Sequence, residues 1–133
     1  MKPPPAGFWW ARLRSFRYAW RGIVYLVRTQ GNARLHLAST ILVVILGFVL
    51  HVTRGEWCLL ALASGMVWAA EALNSALEYL ADHVTMEHHE RIGRVKDMAA
   101  GGVLLAAIAA AIIGGVVFIP KLLVLVGVRC CAG

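Results

Sequence analysis

Long apolar runs separated by short polar segments are the main pattern of this chain. Three of the runs, at 35–52, 57–80 and 98–119, approach or reach the roughly 20 helical residues that cross a hydrocarbon core of about 30 Å. We therefore expect three transmembrane helices. Pro120 is expected to end the third span, and the tail at 121–133 is too short to cross the membrane again.

A different apolar spacing precedes these runs. Between Leu13 and Val27 the apolar residues recur at steps of three and four, so they form one stripe on a helix, and arginines occupy the adjoining flank. This pattern predicts an amphipathic helix over 8–31 that lies in the membrane interface, with Trp20 in the headgroup region. A juxtamembrane helix that only anchors the topology fits the pattern equally well. The proline-containing residues 1–7 are expected to be a disordered lead.

Composition and charge agree with an all-α membrane protein. Of the 133 residues 60% are hydrophobic and 15% are charged, which is too apolar for a soluble domain of this length. The formal net charge is +6, and the basic residues before the first span have no acidic neighbours. Such a segment stays on the cytoplasmic side and is attracted to anionic lipids. We therefore expect a cytoplasmic amino terminus and no nucleic-acid partner.

Charged and amide side chains interrupt the second span at helical spacing. The polar positions are Glu71, Asn74, Ser75, Glu78 and Asp82. Steps of three and four place them on one helix face. Carboxylates at membrane depth cost roughly 2.5 to 3.5 kcal/mol each, so a chain that retains them usually uses them. At a rise of 1.5 Å per residue from Trp57, Glu71 is expected about 21 Å along the helix and Glu78 about 32 Å, at the water boundary.

Two carboxylates at these different depths suit a reaction between a membrane-bound group and a water-soluble one. Glu71 can accept a proton from a lipid hydroxyl. Glu78 and Asn74 offer the hard oxygen ligands that magnesium prefers. Lys96 can neutralise phosphate charge and Asp97 can orient a ribose hydroxyl, so the parts of phosphoryl transfer are present. A proton path or a polar seam that stabilises an oligomer is the alternative that the same stripe supports.

The polar segment at 81–97 is expected to be a cytoplasmic loop. Its run Glu87-His88-His89-Glu90 contains no pair of histidines four residues apart, so contacts to a nucleotide are favoured over zinc. His36, near the start of the first span, is interpreted as an interfacial residue rather than a ligand. The chain contains no phosphate-binding glycine loop and no Rossmann fingerprint, so an ATP site here must be unconventional.

The joint spacing of these residues resembles the signature of the prokaryotic diacylglycerol kinase and undecaprenol kinase family. The matching residues are Glu71-Ala-Leu-Asn-Ser-Ala-Leu-Glu78, Asp82, Glu87-His-His-Glu90 and Gly93-Arg-Val-Lys96-Asp97-Met. The likeness extends from Phe8 to about Ile119. It implies a homotrimeric, multi-pass enzyme of the bacterial inner membrane. Such an enzyme would use ATP and Mg²⁺ to convert diacylglycerol or undecaprenol into phosphatidic acid or undecaprenyl phosphate.

The resemblance also implies residue roles. Glu71 would be the catalytic base, and the family's metal ligands would correspond to Glu78 and Gln30. Gln30 stands where the family has a glutamate, so its amide oxygen would bind the metal with less charge. The implied nucleotide contacts are Arg12, Tyr18, Gln30, Asn74, Glu78, Glu87, His88, His89, Lys96 and Asp97. The implied lipid contacts are Arg14, Trp20 and Glu71. The segment 30–36 looks more like the undecaprenol kinase branch.

Overall fold

Four helices make up almost all of the part of the chain that the structure, a computed structural model, describes, namely residues 8–84 and 90–127. They are α1 (Phe8–Thr29), α2 (Gly31–Val49), α3 (Arg54–Val84) and α4 (Glu90–Leu125), and these residues include no strand. By length and composition α2, α3 and α4 can each cross a membrane. The predicted all-α architecture, a short first helix followed by three spans, is therefore confirmed. The predicted disordered lead lies outside the described residues.

The polar segment between the second and third spans is more helical than expected. α3 continues to Val84 and α4 already begins at Glu90, so most of the loop predicted at 81–97 is helix. Hydropathy marks where a helix leaves the hydrocarbon, whereas the helix itself continues into water when its side chains pair along one face. Arg94 and Glu90 form such a pair, four residues apart on α4.

Proline does not end the last helix either. Pro120 lies inside α4, which continues to Leu125, so the helix extends beyond the predicted end of the third span at 119. The proline removes one backbone donor, a loss that membrane helices tolerate when neighbouring groups hold the adjacent turn. Here Lys121 Nζ lies 3.2 Å from Glu56 Oε2 and ties that turn to the start of α3.

A tight turn connects α2 to α3 at the end of the bundle that holds Lys121. Thr53 precedes α3 and caps it with a capping box, because its backbone N–H donates to Glu56 Oε2 at 2.7 Å and its Oγ1 accepts from the Glu56 N–H at 3.4 Å. Next to this turn, a buried cluster joins α3 to α4. Its buried members are Val52, Leu60, Val117 and Phe118.

The first helix meets the other helices at its carboxyl-terminal end. Leu26 is buried, and the ring of Tyr25 lies 5.7 Å from the ring of Tyr79 on α3. Hydrogen bonding to Tyr79 raises the pKa of Tyr25 above its ordinary value. The apolar stripe earlier on α1 is exposed, as expected of a helix whose apolar face is covered by lipid.

Candidate active site

The polar stripe of α3 runs from the interior of the bundle to its surface. Glu71 is 1% exposed, and Asn74 and Ser75 are also buried. Glu78 is half-buried and Asp82 is exposed. Accessibility therefore rises from the three buried residues through Glu78 to Asp82, which is the nearest of them to the end of α3. Since the helix rises 1.5 Å per residue, Glu71 and Glu78 are separated by about 10 Å along its axis.

A pocket of about 300 Å³ lies against this stripe, between α2, α3 and α4. α3 contributes Glu71, Asn74 and Glu78, and α2 contributes Asn32 and His36. The side facing these groups is formed by small and aliphatic residues of α4. The pocket thus combines a polar wall with an apolar wall, which suits a molecule that has both characters.

Several polar atoms in this pocket have unused hydrogen-bonding capacity. Asn74 Nδ2 donates to Glu78 Oε1 at 3.1 Å, which leaves Asn74 Oδ1 without a partner among the described residues. Glu71 Oε2 and His36 Nε2 are likewise buried and unpartnered, 3.9 Å apart. Leaving a buried polar atom unpaired costs about 1–3 kcal/mol, so such a cluster is a candidate place for a ligand that supplies hydrogen bonds.

A basic residue approaches the stripe where it reaches the surface. Lys96 Nζ on α4 lies 2.9 Å from Asp82 Oδ1 on α3, one turn beyond Glu78. The pair is partly exposed, and such pairs add little stability, so its main effect is to orient the lysine. The neighbouring Asp97 is exposed and does not line the pocket. Of Lys96 and Asp97, the structure therefore brings Lys96 to the stripe.

The donor set partly fits a magnesium ion. Magnesium prefers oxygen ligands and retains water or phosphate oxygens in its other positions, and the Glu78 carboxylate and the unpartnered Asn74 Oδ1 supply such oxygens. Gln30 does not line the pocket. It precedes α2 in an extended conformation, and its backbone N–H donates to the Leu26 carbonyl. In residues 8–84 and 90–127 no three His, Cys, Asp or Glu side chains converge as a metal site.

Other predicted contact residues lie away from this pocket in the single chain. Those on the surface helix are Arg12, Arg14, Tyr18 and Trp20, all exposed. None of them lines the pocket. The predicted nucleotide contacts Glu87, His88 and His89 lie outside the described residues. Their proposed roles remain predictions.

Sequence reasoning missed the contribution of α2. His36, interpreted above as an interfacial residue, faces Glu71, and Asn32 lines the same pocket. A signal was present, because the two residues are four apart and so share one face at the start of an otherwise apolar helix. The sequence alone could not show that this face of α2 lies against α3, because that contact depends on how the two helices pack.

Three helices of membrane-spanning length, with a carboxylate stripe turned inward and open at one end, define an integral-membrane protein with a polar site in its bundle. Comparison with known proteins gives the family. The prokaryotic diacylglycerol kinase family matches residues 17–118, and the chain belongs to that family. The expected resemblance is therefore confirmed.

Relatives in this family include kinases named for two lipids. The chain is 46% identical to the diacylglycerol kinase of Synechocystis over 112 residues, which cover 84% of this chain and 64% of that protein. It is 38% identical to the undecaprenol kinase of Bacillus subtilis over 109 residues, 82% of this chain and 89% of that one. The Escherichia coli diacylglycerol kinase is 32% identical over 100 residues, 75% of this chain and 82% of that one. These names agree with a membrane lipid kinase and do not favour the proton-path alternative.

Proposed function

We propose that the protein transfers the γ-phosphate of ATP to the hydroxyl of a membrane lipid. The observation that supports this best is the change in burial along the polar stripe of α3. Glu71 is buried at membrane depth, and Asn74, Glu78 and Asp82 lead from it to the surface. A lipid hydroxyl and a water-soluble phosphate donor can meet along such a stripe. A chain of carboxylates alone would suit proton conduction, but Lys96 beside the stripe adds the cation that phosphate requires.

In the proposed reaction Glu71 accepts the proton of the lipid hydroxyl. The hydroxyl oxygen then forms a bond to the γ-phosphorus while the bond from that phosphorus to the β,γ-bridging oxygen breaks, and ADP leaves. Lys96 offsets the charge of the phosphates, and Asp97 contacts the nucleotide. These contributions are positioning and charge compensation, which carry most of the catalysis in phosphoryl transfer.

The proposal includes a magnesium ion that binds together with ATP. Glu78 and Asn74 would hold it through their oxygens, with Gln30 as a further oxygen ligand implied by the resemblance. Bound there, the ion would supply charge neutralisation between the phosphates. Its site would be completed by phosphate oxygens and water, because the described residues offer few ligands of their own.

The proposed setting is the bacterial inner membrane, with the amino terminus in the cytoplasm and three chains in the active enzyme. The basic residues before α2 support the orientation. A trimer is supported by the exposed contact residues of α1, since a neighbouring chain can bring them to a pocket that they do not reach in their own chain. Membrane location itself follows from the three spans and the family.

The central test replaces the proposed base. Purified Glu71→Gln keeps the size of the side chain but cannot accept the proton, so we expect lipid phosphorylation with ATP and magnesium to fall about 10²- to 10⁴-fold. Glu56→Gln, at the other end of α3, is the matched control and should keep wild-type activity. Equal activity of wild type and Glu71→Gln would show that Glu71 is not the base.

The lipid acceptor is proposed to be diacylglycerol or undecaprenol, in line with the relatives' names. The likeness of 30–36 to the undecaprenol kinase branch favours the second. Both lipids should be offered together in one assay, with the two phosphorylated products separated and counted. A clear excess of undecaprenyl phosphate would support that branch, and an excess of phosphatidic acid would reject it.

A further inference from the structure

His36 and Glu71 come together without bonding to each other. Their Nε2 and Oε2 atoms are 3.9 Å apart, beyond a direct hydrogen bond, and neither has a partner within the described ranges. An oxygen placed about 2.8 Å from both atoms would see them at an angle of about 90°. A hydroxyl can occupy that point, because it accepts one hydrogen bond and donates another.

The position of His36 is fixed by a second contact between the same helices. Trp68 Nε1 donates to Thr40 Oγ1 at 3.0 Å, and Thr40 Oγ1 donates to the His36 carbonyl at 2.7 Å. Thr40 lies one turn after His36 on α2, and Trp68 one turn before Glu71 on α3. The two helices are therefore bonded one turn away from the imidazole, which holds it at the height of the carboxylate.

His36 also stands between two cavities of different character. It lines the polar pocket described above and an apolar cavity of about 350 Å³ deeper between the spans. Val43, Leu60 and Phe118 are among the residues of the apolar cavity. A molecule whose hydroxyl lies at His36 thus has apolar space on one side and the polar stripe on the other.

We propose that His36 contacts the acceptor hydroxyl, with Nε2–H donating to the oxygen whose proton Glu71 accepts. This rests on the proposed kinase activity. His36 transfers no proton: it occupies one lone pair of the hydroxyl oxygen and leaves the other directed at the γ-phosphorus. The Thr40–Trp68 contact is a positioning element that acts through His36.

The test compares His36→Leu, which has no donor, with His36→Gln, whose amide N–H retains one. His36→Leu removes one neutral hydrogen bond, so we expect kcat/KM for the lipid to fall about two- to twelvefold. His36→Gln should recover most of that loss. Equilibrium binding of magnesium-ATP should match wild type in both variants, and His51→Asn, just beyond the far end of α2, should leave every parameter unchanged.

Two results would overturn the proposal while leaving the kinase intact. One is wild-type lipid turnover in His36→Leu, and the other is an equal loss of ATP binding and lipid turnover in both variants, which a structural role predicts. If wild type phosphorylates no lipid, the proposed function fails, and this inference fails with it.

Thr40→Val and Thr40→Ser provide an independent arm if His36→Leu does not fold. Valine keeps the shape but removes the hydroxyl, so lipid turnover should fall by several-fold while ATP binding is kept. Serine should restore turnover. Equal activities in Thr40→Val and wild type would show that this contact does not position His36.

Discussion

At the scale of single residues, the two glutamates of α3 differ in their surroundings. Glu71 is fully buried beside an imidazole, whereas Glu78 is half-buried and accepts from an amide. In the proposed mechanism, glutamate thus serves for proton transfer at one level and for holding a cation at the next. Burial is what separates the two roles, because a buried carboxylate meets few competing water molecules.

Glu78→Gln should change the magnesium dependence of the enzyme more than its use of lipid. The amide keeps an oxygen ligand but loses a negative charge, so we expect a higher magnesium concentration for half-maximal activity and an unchanged lipid KM. Glu56→Gln is the control. Activity measured across a magnesium titration would contradict the assignment if the two variants gave the same curve.

Gln30→Glu tests whether the neutral side chain weakens magnesium binding at the proposed metal site. A carboxylate adds charge to the ligand set, so activity should be kept or raised, and less magnesium should be needed for half-saturation. The matched substitution Gln30→Ala should have the opposite effect. Complete loss of activity in Gln30→Glu would contradict a place near the metal.

At the scale of helices, close packing decides how α2 and α3 meet away from the site. Gly47 of α2 faces the indole of Trp57, and a Cβ added to the glycine would lie 2.6 Å from Trp57 Cζ2. Trp57 in turn lies against Phe48, with ring centroids 5.2 Å apart. Two helices approach closely in lipid when one offers a glycine at the contact.

Gly47→Ala should therefore destabilise the protein. The added methyl group must displace a packed indole, and overpacking of this kind costs about 1–3 kcal/mol. Thermal unfolding in detergent should show a lower Tm for Gly47→Ala and no comparable change for Gly65→Ala, which has open space at its Cβ. Trp57→Leu in the Gly47→Ala background should recover part of the loss, and failure to do so would place the strain elsewhere.

At the scale of the whole molecule, one chain leaves the proposed site incomplete. The pocket is formed by α2, α3 and α4, while the α1 residues that the family resemblance assigns to ATP and lipid are exposed. The proposed trimer would resolve this if α1 of one chain covered the pocket of another. The enzyme would then have shared sites.

Mixed assemblies test that arrangement. Tyr18→Ala and Glu71→Gln should each lower activity when expressed alone. If α1 and α3 of different chains form one site, co-expressed chains should regain activity above the mean of the two variants, because some sites receive both intact residues. Native mass spectrometry of the purified mixture should show trimers that contain both chains. Activity equal to the mean would favour sites within single chains.

Many features of this protein follow from patterns along its sequence. Apolar run length set the number of spans, the steps from Glu71 to Asp82 set a single polar face, and the joint signature gave the family. Each depends on spacing along the chain, so none of them requires knowledge of how one helix packs against another. Helix ends were less predictable, because hydropathy reports the edge of the lipid rather than the end of hydrogen bonding.

Tertiary structure alone decided which residues meet across helices. It brought His36 to Glu71, Thr40 to Trp68 and Lys96 to Asp82, and it left Gln30 outside the pocket. Such contacts depend on how each helix is rotated and how closely it packs against its neighbour. A rotation of one residue, about 100°, turns a side chain away from its partner while the apolar pattern along the chain stays the same.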